Sequence, residues 1–596
     1  MARMSSFVAI GAAAAAGFVF FASASLQETA PSEAELAMLF DPRLIAQNQC
    51  GRTGQYRGAY FQPSFQLALA TAAQAAPSAE KERAPLWPGL GDRSFPVTTE
   101  SAEAQAYFDQ GFALLYGFNH WEAIRAFREA QRLDPSCALC YWGEAKAHGP
   151  NINARMGADA EDPALAAISK AQALAGAASA REQALIEALA LRYAREGERA
   201  ELDRQYAEAM EDVHRQFPDD QDIATLFAEA QMDLSPWDYW ERDYRTPKPH
   251  IAKAIAAIDG VLAANPDHAG AIHMQIHLME ASATPERAEA GADRLADLMP
   301  GAGHLVHMPG HIYFRIGRYL DSLETNVRAV AVDEEYLSKT EGSPLYRYGY
   351  YPHNVHFVMV SAQMAGDGKT ALEYAHKLDA LIPFEAVKTA ALVQPVKVAP
   401  YYALLDFGSP EEIAAIPAAP DDLPFVRGIQ HYVQGVAAAH TDDLAAARGN
   451  ADAIAALRDN VAMEELAADG VPAASILHLL ELVLRARIDR REGALDAARA
   501  KLEEAIAVQN SLAYTEPPYW YYPVEQTLGA VLLEAGEPEA AVAQFRAALV
   551  RHPNNAWSLY GLMKAQEAAK DATMSYTADL LAAATVNPDA IRLDRL

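Results

Sequence analysis

The chain has 596 residues, with 79 acidic against 49 basic side chains and a formal net charge of −30. That length is more than one hydrophobic core fills, so the chain is several domains or a repeat array. The acidity excludes a nucleic-acid surface, which needs a basic stripe, and the Ala- and Leu-rich composition suits helices with punctuated turns better than sheets.

Taken in chain order, residues 1–24 read as an export signal. Arg3 supplies the positive start, Phe7 to Phe21 an apolar run, and Ala22, Ser23 and Ala24 a cleavage site of the A-x-A kind. The run is short for a membrane span, and nothing later is apolar enough to be one. A soluble periplasmic or secreted protein, with no membrane span after cleavage, is therefore expected. Residues 25–100 lack sustained periodicity, contain Pro77, Pro85, Pro88 and Pro96, and read as a linker or loosely wrapped extension. Export permits a disulfide among Cys50, Cys137 and Cys140. It would lie either within the CxxC of Cys137 and Cys140 or between one of them and Cys50. Tyr141 stands where a haem-attachment motif needs His.

Helical units begin near residue 103. The stretches Glu103–Tyr116 and His120–Leu133 are broken at Gly117, Phe118 and Asn119 and closed by Asp134 and Pro135. Small residues at Gly111, Ala123 and Ala130 let two antiparallel helices approach, Phe127 fills the gap, and Pro135 stops the second helix. This spacing resembles the tetratricopeptide repeat. The frame recurs from Gly303 (Gly310, Gly317, Tyr319, Ser322, Asn326, Ala329) and from Tyr522 (Gly529, Gly536, Ala541, Phe545, Ala548, Pro553). Weaker copies lie between. The predicted fold is an all-α, right-handed solenoid of tetratricopeptide-type helical hairpins with degenerate repeats. Residues 101–390 form a solenoid with a His-rich groove, 391–470 degenerate helical repeats broken by prolines such as Pro395, Pro400, Pro410, Pro417 and Pro420, and 471–596 C-terminal repeats.

The chain is also similar to a family of large exported bacterial tetratricopeptide proteins. The runs that carry the likeness are Phe118 to Ala123, Gly149 to Asn153, His304 to Tyr313 and Pro517 to Pro523. The resemblance implies the architecture and no defined activity.

The histidines repeat with the fold. His273 and His277 are followed 34 residues later by His307 and His311, and His304 and His307 are followed 49 residues later by His353 and His356. Thirty-four is one tetratricopeptide unit, and forty-nine is one unit plus an insertion. His273, His277 and Glu280 are spaced by four and three and share a helix face, as do His304, His307 and His311, and His353 and His356. In the repeat frame these are first-helix positions that, by the resemblance, face the concave groove. Neutral imidazoles are the commonest metal ligands. The expected site therefore holds a transition metal, copper, zinc or iron, through His273, His277, His304, His307, His311, His353 and His356. Glu280 joins as a ligand or as an acceptor for an imidazole N–H. Met274 stands where the zinc-peptidase motif His-Glu-x-x-His needs Glu, which argues against that mechanism.

Pro309 and Gly310 are expected to interrupt the helix carrying His304 to His311, leaving His304 and His307 in a preceding turn. The aromatic run Tyr346 to Tyr351 is expected to pack between units or to wall the histidine site. Two functions follow: a metal site in the groove, with possible enzymatic chemistry, or a non-catalytic scaffold whose groove binds a peptide or exported protein through its histidines.

Overall fold

The computed structural model describes residues 83–194, 197–389 and 391–596. The export signal, Cys50 and the extension up to residue 82 lie outside it. The first two helices of the described residues run Ala102–Tyr116 and His120–Leu133. The Ser101 side chain caps the first by accepting from the Ala104 N–H, and Asn119 caps the second by accepting from the Glu122 N–H. They pack as an antiparallel hairpin around Phe127, which is fully buried. A Cβ at Gly111 would sit 2.7 Å from the Phe127 ring, so the close approach requires glycine there. The same device recurs at the other end of the chain, where a Cβ at Gly529 would lie 2.8 Å from the buried ring of Phe545. Successive hairpins stack in this manner to the C-terminus, giving an all-α solenoid of tetratricopeptide type. Among the described residues, extended pairing is limited to two isolated bridges, and no helix is long and apolar enough to cross a membrane.

Three of the six prolines of the 391–470 stretch begin helices rather than break them, and Pro417 and Pro420 lie between helices. Pro395, Pro410 and Pro424 sit in the first turns of Gln394–Phe407, Pro410–Ala414 and Pro424–His440, where the missing N–H costs nothing; Pro400 alone lies inside a helix.

Residues 83–100 carry little regular structure, yet they strap the first hairpins together. The Trp87 indole N–H donates to Glu122 (3.1 Å), Arg93 makes two hydrogen bonds to Asp222 (2.9 and 2.7 Å), and Phe95 is buried against Phe108 and Phe112. Cys137 and Cys140 form a disulfide at the start of the helix Ala138–His148.

Buried apolar side chains form two large clusters, one running from Leu90 to Tyr350 and the other from Phe314 to Leu596. The repeating histidines fall where the two meet.

Candidate metal centre

Four helices bring the imidazoles together. Ala269–Glu280 is buried except at the half-buried Ala269 and Gln275; the His268 side chain caps it by accepting from the Ala271 N–H (3.1 Å). It presents His273, His277 and Glu280 on one face. Gly303–His307 and Pro309–Ile316 follow. The expected break at Pro309 is small: Met308 is helical (φ −54°, ψ −35°), its N–H bonds the His304 carbonyl (3.0 Å), and the His311 N–H bonds the Met308 carbonyl (3.2 Å). The chain thus continues helically through the proline, with one tightened turn. His304 and His307 lie in a short helix rather than an irregular turn. Tyr351–Met364 supplies His353 and His356.

Six of the seven histidines form two sets. His273 Nε2 lies 2.9 Å from His277 Nε2 and 3.1 Å from His304 Nε2. His311 Nε2 lies 2.7 Å from His307 Nε2 and 3.4 Å from His353 Nε2. Within each set the nitrogens fall within 4.8 Å of one another. Such spacings suit three bonds of about 2.0–2.1 Å to a single ion. The sets adjoin, with ring centroids 6.0 Å apart for His304 and His307 and 6.2 Å apart for His277 and His311.

The opposite ring nitrogens fix the tautomers of His273 and His307. His273 Nδ1 donates to the Tyr116 carbonyl (2.7 Å), which can only accept. His307 Nδ1 donates to Asn326 Oδ1 (2.5 Å), whose amide N–H is turned to the Ser322 carbonyl. His277 Nδ1 (2.7 Å) and His311 Nδ1 both meet the Glu280 carboxyl, one on each oxygen. With Nδ1 protonated, Nε2 carries a bare lone pair. Even a protonated Glu280 can donate to only one of its two imidazoles. At least one of the pairs His273–His277 and His307–His311 therefore faces lone pair to lone pair, an arrangement that a cation between them stabilises.

Aromatic side chains wall both sets. The Phe118 ring lies 4.5 Å from His273 and 5.6 Å from His304, Trp237 5.0 Å from His277, Tyr350 4.6 Å from His304, and Phe357 within 4.7–5.0 Å of His307, His311 and His353. Phe118 (φ 55°) and Trp237 (φ 65°) hold left-handed backbone, which costs a non-glycine residue about 1 kcal/mol or more and places both rings over the first set. The expected open groove is not present at these residues. His273, His277, His304, His307, His311 and His353 are at most 2% exposed, because these aromatics and the loop after Tyr514 close over them. Burial holds the His273 and His311 imidazoles down at about 3 and the other four well below the usual histidine value, while it raises the Glu280 carboxyl well above the usual range, partly offset by Arg315. The imidazoles are therefore neutral at pH 7, the form that binds metal.

His356 stands apart from both sets; its Nε2 is buried without a partner beside a small cavity of about 20 Å³ that also reaches His353 and Glu516. Glu280 lies on the outer nitrogens rather than among the converging ones. Sequence reasoning did not find Tyr116, Phe118, Trp237 or Phe357 as site residues. They belong to other repeats and carry no periodic signal, although Phe118 lies in the run Phe118 to Ala123. Tyr350 belongs to the aromatic run expected to wall the site, and does so.

No protein-family profile matches the chain, and no curated protein is similar to it in sequence. Among solved structures it is similar to human IFIT1 as a dimer with PPP-AAAA (11% identity, 81% of this chain, 91% of that one, TM-score 0.29). It is likewise similar to yeast Tom70 (13% identity, 81% and 92%, TM-score 0.25). Neither likeness bears on the site.

Proposed function

We propose that this chain is an exported tetratricopeptide solenoid that holds two transition-metal ions side by side, one in His273, His277 and His304 and one in His307, His311 and His353. The observation that carries this is the convergence of three Nε2 atoms in each set, with the proton of His273 in one and of His307 in the other assigned to the opposite ring nitrogen. Tyr116, Asn326 and Glu280 act on the outer nitrogens, orienting the rings and raising their basicity. Three protein ligands leave a fourth position on each ion, the pattern of catalytic rather than structural sites. A metalloenzyme is accordingly favoured over a purely structural centre. The dry aromatic walls keep bulk water from the ions and strengthen electrostatic interactions within the site. Burial argues against a scaffold that meets a partner peptide through these histidines.

The test is metal titration of chelator-stripped protein made without a His tag. Wild type binds two ions per chain; His273→Ala/His277→Ala and His307→Ala/His311→Ala each bind one. Substoichiometric metal in wild type and variants alike refutes the proposal.

A further inference from the structure

We infer that the paired site takes copper and that its small-molecule substrate is dioxygen, reduced by two electrons between the ions; this rests on the two-ion reading above. The first argument is donor chemistry. Among the described residues each set consists of imidazoles alone. Glu280, the carboxyl between the sets, is turned to the outer Nδ1 atoms of His277 and His311. Hard ions such as magnesium or manganese prefer oxygen donors, whereas imidazole suits copper, and copper heads the affinity order for nitrogen sites.

The second argument is charge. The six imidazoles are neutral and buried, and Glu280 supplies at most one negative charge. Two divalent ions would bring four positive charges into this dry space, where uncompensated charge is expensive. Two Cu(I) ions bring two. Dioxygen binding then leaves that total unchanged. Each Cu(I) gives one electron to dioxygen, the O–O double bond becomes a single bond, and the resulting peroxide stays bound between two Cu(II) ions. No proton enters and no atom leaves, so the pair with its ligand remains at two positive charges.

The third argument is access. One cavity of about 100 Å³ reaches His304 past Trp87, Tyr336 and Tyr346, and a second of about 20 Å³ reaches His353. The second has room for little more than a water-sized molecule. A diatomic gas fits both routes, while a bulky organic substrate does not fit the second.

The experiment loads stripped full-length protein with Cu(I) under nitrogen, removes the excess, and admits air. Elemental analysis, an oxygen electrode, optical absorption and electron paramagnetic resonance follow the result. The expected outcome is two copper ions per chain and one dioxygen consumed per copper pair. An intense new charge-transfer absorption appears, and the Cu(II) is silent in paramagnetic resonance because the two spins couple. His304→Ala and His353→Ala, in different sets, each retain one copper and lose the uptake, from about one dioxygen per chain to none. Circular dichroism establishes that each is folded, and either one suffices. Two coppers per chain with no uptake, or with a paramagnetic signal equal to the full copper content, overturns this inference and leaves the two-ion site standing. Failure to bind copper while two zinc ions bind also overturns it alone; failure to bind any metal overturns the two-ion site as well.

Discussion

Glu280→Gln separates a two-ion site from a mere histidine cluster. One carboxyl accepts from His277 Nδ1 on one oxygen and from His311 Nδ1 on the other, so it serves one imidazole of each set. Glutamine keeps the shape but has one acceptor and one donor end. The imidazole that meets the amide N–H must turn a lone pair to it, which moves its own proton to Nε2. That proton then points at the ion's position and removes one ligand. Loss of an outer partner of this kind costs about 10–100-fold in metal affinity, or about 1.4–2.7 kcal/mol. Only one imidazole faces the amide donor, so one ion weakens and the other does not. The metal-free fold should survive within about 1–2 kcal/mol, since the side chain stays the same size and meets both imidazoles, accepting from one and donating to the other. Competition against a coloured chelator, fitted to two sites, gives both affinities, and a thermal melt reports the fold. Two affinities within about twofold of wild type would refute the role given to Glu280.

Other outcomes follow from the same structure. The metal-free protein should lose stability in acid. His273, His311 and His356 are held at about 3 in the folded chain by burial, against an ordinary value of 6.5. Between those limits the unfolded chain binds protons the folded one does not, so stability falls as pH drops below 6.5. At pH 5 each contributes a loss of about 2 kcal/mol, together comparable to the lower range of domain stabilities. Urea unfolding at pH 7 and pH 5 measures this, and equal midpoints would contradict it. Phe545→Ala should cost about 3–5 kcal/mol by emptying the space between two repeats while leaving the metal count unchanged. Calorimetry with elemental analysis checks both, and loss of metal would show the C-terminal repeats to be coupled to the site.

The repeat frame was legible because the fold needs small residues at fixed spacing, as Gly111 and Phe127 show at one end and Gly529 and Phe545 at the other. The histidines were legible for the same reason: a 34-residue period places His273 with His307 and His277 with His311. Their division into two sets was not. His304 pairs with the preceding helix and His353 with its own repeat's neighbour, a choice made by tertiary packing rather than by period. Pro309 misled because a proline at the start of a helical segment interrupts little when the preceding residue stays helical. Burial was hidden as well. The groove positions are closed by Phe118, Trp237 and Phe357, each an ordinary aromatic in its local sequence. The strap at residues 83–100 reads as linker because its contacts are long-range and its backbone is irregular.

The central claim is that two ions lie in this chain, each on three Nε2 atoms. Anomalous diffraction from crystals of untagged, metal-loaded protein tests it most directly. The account predicts two peaks, one about 2.0–2.1 Å from the Nε2 atoms of His273, His277 and His304 and the other likewise from His307, His311 and His353. A single peak shared by all six, peaks at other residues, or none would contradict it.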